Sequence, residues 1–593
     1  MSRPVPVKLP TIPNAPTHTV SVALFIDNKD VSQKPGGLGS ISIFNEFNKI
    51  PTAKITLSDG QVEKGTFEKS NGAFFIPGKI ADIRLGYQNE TATIFKGIIT
   101  KHSIKALRHS ASVLELDCKD PSVKMTLVRR SKYFTGKKDT EIFQEILESY
   151  KSEGITPGTL ENTEFEHPEL VQYHCTDWDF LVLRAEANGL VVFADNGKVH
   201  IFKPELGMLA DHSATWGDNI IDLEAEIDAQ THYPDVETAT WDSTTQKVTK
   251  QNGDGSSGDV GAALGGLGAV ASLGTSLLGI GDGAHDFPKA LFGKEKHLLY
   301  HGGDMDTKEL GAWAKGQKQR AKFSHVRGRV SMRGQDFKPS QTLALKKVSD
   351  RFNGKHLISG VMHQVYDGTW RTDIQFGMTA QTFAEMTAET GKSIALTETS
   401  GLMAAIRGLH IGVVTHIEGD NQQGKHRIKV RIPYIATQNG QEHDGIWARL
   451  STLYAGDNRG FVFRPELKDE VILGFINDDP NDAIILGSLH SNKNKAPIAA
   501  TDNNFQKVFF AKQGMQMIFD DDTSKKSIQF KTSQGYSVLL SDGESKLEIK
   551  DNNNSITISS SGIQLNSQGS IDITASGNVN IKGRQVHIND PVP

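Results

Sequence analysis

The chain has 593 residues, which at roughly 150 residues per domain predicts about four folded units rather than one. Lys plus Arg total 65 against 70 Asp plus Glu, and a formal charge of −5 made of both signs excludes binding of a polyanion by the surface as a whole. With 37% apolar residues and 57 Gly the chain is globular and turn-rich, and its two cysteines, Cys118 and Cys175, exclude a disulfide scaffold and a four-ligand zinc site, so both are expected as buried small apolar residues.

Residues 1–18 form a Pro-rich arm, with Pro4, Pro6, Pro10, Pro13 and Pro16, and lack the apolar stretch of a secretory signal, which implies assembly in the cytoplasm without a signal peptide. From 19 to 130, apolar runs at 20–25, 53–57, 80–85 and 93–99 alternate with Gly, Asn and Asp turns and predict a first β-barrel. Residues 131–200 carry helices. Asp139 is placed to cap the first, Ile142, Phe143, Ile146, Leu147 and Tyr150 share its inner face, and Gly154 ends it. Thr176, with Asp179 three residues on, opens the second, which closes at Gly189 and turns Trp178, Leu181 and Ala185 to a core.

A second barrel is expected over 201–385, with a third helix at 307–320 whose inner stripe is Leu310, Trp313, Ala314 and Gln317. A Gly/Ala-rich insert, 251–283, interrupts it. Its segment 260–280 is uncharged and long enough to be weighed as a membrane span, with Gly261 and Gly265 at GxxxG spacing. Six Gly and three Ser or Thr among those 21 residues dilute the hydrophobicity and cost helix stability, so a flexible insert is the preferred reading. An internal echo relates the two barrels. Phe75, Pro77 and Gly78 precede Gly97-Ile98-Ile99 and His102, as Phe337, Pro339 and Ser340 precede Gly360-Val361-Met362-His363.

A linker at 386–405 leads to 406–490, where short strands at 409–417, 426–432, 445–453, 460–463, 471–475 and 484–489 suit a small closed barrel of OB type. A connector, 491–513, follows. From 514 to 593 the chain repeats apolar-x-apolar pairs: Met517/Phe519, Ile528/Phe530, Val538/Leu540, Leu547/Ile549, Ile556/Ile558, Ile563/Leu565, Ile571/Ile573, Val579/Ile581 and Val586/Ile588. Period-two alternation gives each short strand one apolar face, too small to be buried by its own neighbours, so stacked repeats must supply the core jointly. Three identical chains wound together do so and leave no free sheet edge except at the ends, which predicts a triple-stranded β-helix formed by three chains. A single-chain β-helix of the calcium-binding kind would need a GGxGxD run, which this region lacks.

Trp447-Ala448-Arg449, Tyr454-Ala455-Gly456, Arg459-Gly460-Phe461, Pro465-Glu466, Asp469-Glu470-Val471, Asp479-Pro480 and Gly487-Ser488-Leu489 resemble the core of VgrG proteins, the spikes of type VI secretion systems. Leu170-Val171-Gln172-Tyr173, Asp177-Trp178, Phe180-Leu181, Ala187-Asn188-Gly189 and Phe352-Asn353-Gly354-Lys355 are similar to that family's hub. The family motif in the OB region thus comprises Trp447, Arg449, Gly460, Pro465, Asp469, Pro480 and Gly487, with one departure, Lys468, where the family usually has Gly. The resemblance implies a mainly β chain with a few helices: two hub β-barrels, an OB-type barrel and a C-terminal needle. It further implies a homotrimeric spike and baseplate hub whose two barrels per chain present a near-sixfold face to a hexameric inner tube protein. Baseplate proteins, a PAAR-like tip cap, cargo effectors and the target cell envelope are the other implied partners. Phage-like extracellular injection particles have similar spikes, and the reading leans to them over type VI secretion.

Chemistry is mostly absent from the sequence. Neither 491–513 nor the five residues after Ile588 are expected to hold a further domain, Gly253, Gly255 and Gly258 match GxGxxG without a convincing apolar strand before them in a Gly-rich neighbourhood, and HExxH, Walker and GxSxG motifs are missing. His587 is the metal candidate, near what would be a threefold tip, but it points outward if Val586 and Ile588 point in. The OB region holds nine Lys/Arg against eleven acids, so no nucleic acid is expected, and no cofactor or catalytic residue is assigned. The expected role is mechanical: a spike driven into a target envelope when a sheath contracts. The alternatives are a spike-borne peptidoglycan hydrolase and a single-chain β-helical adhesin.

Overall fold

Period-two burial along the N-terminal strands decides the architecture of the hub. In the computed structural model, residues 19–32, 37–61, 65–106, 112–230, 233, 235–242, 247–253, 296–301, 305–388, 403, 405–420, 426–433, 435 and 443–588 are described. The Pro-rich arm, the segment 260–280, Gly255, Gly258 and most of the linker lie outside them. The chain divides into two compact units, Met1–Ser488 and Leu489–Pro593.

In the first unit, thirteen strands form one sheet. Val20–Ile26, Leu38–Glu46, Thr52–Ser58, Ile80–Tyr87, Glu90–Lys105 and Val113–Lys119 turn Ile41, Ile43, Ile55, Ile83, Leu114 and Leu116 into one core. Ile220–Ile227, Val326–Arg333, Thr342–Lys346, Gly354–Tyr366 and Thr369–Phe376 enclose another around Val330, Leu343, Ile374 and Phe376. The halves join where Gly354–Tyr366 pairs antiparallel with Leu38–Glu46, placing Met362 opposite Phe44. The two barrel regions are therefore one continuous sheet over two cores, a junction that neither strand run discloses alone.

The echo in the sequence is an echo in geometry. The Gly78 amide donates to the Ile99 carbonyl at 2.9 Å from a left-handed turn (φ 93°), and the Ser340 amide donates to the Ile358 carbonyl at 2.9 Å from φ 81°. His102 meets the Phe75 carbonyl at 2.6 Å, and His363 likewise bonds to the Phe337 backbone.

The first unit also carries α1 (Asp139–Ser149), α2 (Asp177–Ala187) and later α3 (Thr307–Ser324), which runs past the expected Arg320. The stripe Ile142, Phe143, Ile146 and Leu147 is buried against Trp178, Phe180, Leu181, Leu310 and Trp313. Thr176 caps α2 as expected, its hydroxyl accepting from the Asp179 amide at 3.1 Å. Asp139 does not cap α1. Lys138 is the N-cap, its amide donating to Glu141 Oε2 at 2.8 Å, because the Asp139 carboxylate turns inward. There it accepts from Arg184 at 2.8 and 2.9 Å, from Asn188 at 2.8 Å and lies 3.0 Å from His167 Nε2. Arg184, 1% exposed, also donates to Glu309 of α3 at 2.8 Å. Burial alone would raise the Asp139 carboxyl, but the Arg184 guanidinium outweighs it and holds the carboxyl well below the usual range.

His410–His416, Arg427–Arg431, Ile446–Leu450, Ala483–Leu489 and Glu470–Phe475 close into a five-stranded barrel, in that order around the ring. The expected strand at 460–463 is not one of its staves. Gly460 belongs to a two-residue ribbon with Ala455–Gly456, and Phe461, Val462 and Phe463 lie exposed beyond it. Tyr133 and Val171, from the ribbon Arg129–Lys138/Glu166–Thr176, pack into the barrel core beside Val430, Ile446 and Leu473.

Removing Arg184 while leaving Asp139 strands a buried carboxylate, so Arg184→Met is expected to destabilise the hub by about 3–5 kcal/mol in urea unfolding, whereas Arg184→Met with Asp139→Leu recovers most of the loss. Burial pushes the His363 and His200 rings down from 6.5 to about 4. Between those values the unfolded chain binds protons that the folded chain does not, so their contribution is complete above pH 6.5 and is lost as pH falls towards 4. The urea midpoint of His363→Gln is expected to change less than that of the parent across this window.

Candidate functional site

The second unit is built from pairs of apolar residues and nothing else of comparable size. Gln506–Phe510, Gln516–Asp520, Ser527–Lys531, Ser537–Ser541, Lys546–Lys550, Asn554–Ser559 and Gly562–Ser567 form an antiparallel seven-stranded meander. Its register sets each apolar pair opposite the next. One ladder runs Phe509, Met517, Phe530, Val538, Ile549, Ile556, Leu565 and the other Phe519, Ile528, Leu540, Leu547, Ile558, Ile563. Both lie on one face, since the residues between them, such as Gln529, Glu548, Thr557 and Gln564, point the other way.

A single chain leaves that face open. Ile556, Ile558, Ile563 and Leu565 are 42%, 43%, 69% and 51% exposed. Beyond Ser567 no strand is assigned among the described residues, and Ile571, Ile573, Val579, Ile581, Val586 and Ile588 are exposed as well. The first ladder and Ile571 and Ile573 together line an open trough of about 890 Å³. His587 is exposed, and no group of three or more His, Cys, Asp or Glu placed to hold a metal occurs among the described residues. Cys118 and Cys175 are buried, which pushes each thiol up to about 12 and leaves it unreactive.

The OB motif residues are turns and clasps. Gly460 sits at φ 138°, where a Cβ would meet the Tyr454 carbonyl oxygen at 2.3 Å. Pro465 is buried, and Asp469 accepts from the Glu466 amide at 2.9 Å to close the turn that holds Lys468 at φ 72°. Asp479, just before Pro480, meets His301 at 2.9 Å, and Asn481 accepts from the Val171 amide at 2.9 Å. The Trp447 amide donates to Glu169 at 3.0 Å, with Lys429 5.6 Å over the indole ring. Arg449 is exposed opposite Arg427, and Gly487 has open space where a Cβ would stand. The partners of these residues, His301, Glu169 and Asn481, carry no local signal in the sequence. Leu453, Phe461, Val462 and Phe463, expected as strand, lie outside any strand and are 95%, 50%, 65% and 60% exposed. Two surfaces, the ladder face and this apolar ribbon, are thus open to a polypeptide partner.

A family model described as the Alg8 N-terminal domain matches residues 16–267 and 279–367, more than half of the chain. The chain belongs to that family. In this Alg8-family chain, residues 410–490 match the type VI secretion system/phage-baseplate injector OB domain, the region that forms the closed barrel. An actin cross-linking toxin VgrG1 of Vibrio cholerae is 27% identical over 169 residues, 28% of this chain and 15% of the relative. The type VI secretion system spike protein VgrG3 of Vibrio cholerae is 28% identical over 119 residues, 19% of this chain and 12% of the relative. The chain thus aligns with less than a sixth of each of these curated relatives. Among solved structures, the half-lidded Francisella PdpA-VgrG complex superposes on 93% of this chain and 88% of its own chain, with a TM-score of 0.55 and 10% identity. The fold is VgrG-like.

Lys468 occupies a left-handed turn that favours Gly, so Lys468→Gly is expected to raise the barrel's stability by up to about 1 kcal/mol, read as a higher urea midpoint.

Proposed function

We propose that three copies of this chain assemble into the spike and baseplate hub of a contractile injection system. The two sheet halves of each chain meet the hexameric inner tube protein and the baseplate, and the C-terminal repeats of three chains wind into the needle. Sheath contraction drives the particle into the target envelope, a PAAR-like cap and cargo effectors travel with it, and the chain's own contribution is rigidity, symmetry matching and a docking tip. The reading is carried by one observation: two register-matched apolar ladders are left exposed on one face of the second unit. Ten of the thirteen ladder side chains are exposed and Met517, Val538 and Leu547 half-buried, so water on this face is a standing cost that two further copies of the same face remove without any new chemistry. The names of the VgrG relatives agree with this role.

Light scattering on the purified chain is expected to give three times 64.8 kDa, and a monomer would sink the three-chain needle. Replacing Ile571 and Ile573 with Asp would set unpaired carboxylates in the shared interior, so protease should trim the mutant's tail while the residues before about Ser491 persist. An unchanged digestion pattern would mean that these side chains face no common core.

A further inference from the structure

α3 turns Leu310, Trp313 and Ala314 to the core, and its outer face carries Lys308, Lys315 and Lys322, all exposed. Seven residues of helix advance about 10.5 Å and return to within about 20° of the same direction, so the three stems stand in a row. Ala312 and Gln319 lie between them, which gives the alternating four and three spacing by which one helix packs along another. The row borders a groove of about 800 Å³ whose apolar lining includes Phe165, Leu190, Leu206 and Leu357.

The charges of the groove are not neutralised from within. Lys318 donates to Asp235 at 2.9 Å and Lys203 reaches Glu205 at 3.2 Å, but Lys308, Lys315 and Lys322 meet no carboxylate within 4.0 Å among the described residues. On a chain of net charge −5, three unpaired ammonium groups beside an apolar lining reverse the local sign and favour a carboxylate-bearing partner. We propose that this groove docks an acidic amphipathic helical peptide, with carboxylates at every seventh position meeting Lys308, Lys315 and Lys322 and apolar side chains between them seated against Phe165 and Leu206, which are only half-buried. The heptad row matches a second helix rise for rise. A nucleic-acid strand fits it less well, because its charges repeat about every 3.4 Å rather than every second helical turn, and because Glu161 and Glu164 also line the groove. The site uses residues of one chain, all of them in the first unit.

The test uses the full chain and a fluorescein-labelled synthetic helix with Glu at every seventh position and Leu between, followed by anisotropy. Lys308→Glu/Lys315→Glu/Lys322→Glu alters only exposed side chains. Lys346→Glu/Lys525→Glu/Lys531→Glu carries the same charge change elsewhere. Saturable binding that weakens at least about tenfold in the first variant, less than about threefold in the second, and steeply with salt supports the site. Absence of binding, equal loss in both variants, a scrambled peptide of the same composition binding as tightly, or a thymidine oligonucleotide binding more tightly would each overturn it.

Discussion

The guanidinium of Arg184 is the point on which the hub is built. It lies on α2, neutralises Asp139 at the start of α1, and reaches Glu309 on α3, so one buried cation fixes three helices that sequence separates by 45 and 125 residues. Its environment is too dry for any of these charges to stand alone, and the network is complete: the carboxylate takes four hydrogen bonds and the cation is shared between two acids. The helices so fixed share one core with Phe134, Leu170 and Cys175 of the ribbon that enters the OB barrel. An aliphatic cluster could have the same volume, but it would not fix which helix face meets which.

The second unit obeys the opposite rule. It has almost no buried apolar residue of its own, and its order comes from register: each hydrogen-bonded strand places its pair against the pair before it. One-residue slippage anywhere would move an apolar pair to the polar face, so register there is strongly specified although burial within one chain is slight.

What the sequence disclosed follows this division. The apolar pairs of the repeats as far as Ile563/Leu565, the Thr176 cap, the helix stripes and the echo around Phe75 and Phe337 are local patterns that reappear at their places in the fold, whereas the three pairs beyond Ser567 stand in no strand among the described residues. The buried charges were not legible. Arg184 and Glu309 look like ordinary helix-surface residues, and Asp139 directly before an apolar stripe has the spacing of a cap whether it points at the helix end or into the core. The apolar run at 460–463 was legible as apolar but not as exposed, because period-two alternation does not distinguish a face covered by its own sheet from one left open. His301, which meets Asp479 at 2.9 Å, lies 178 residues away from it and no spacing rule connects the two.

Tyr133 and Val171 belong to the hub ribbon yet sit in the interior of the OB barrel, and His301–Asp479 and Val171–Asn481 tie the same two regions from other sides. A joint made this way has no slack. A displacement of either region would meet close-packed side chains at once, where a tether would first have to straighten. The seam is therefore a shared core rather than a contact between two finished ones, and the two regions are expected to melt together.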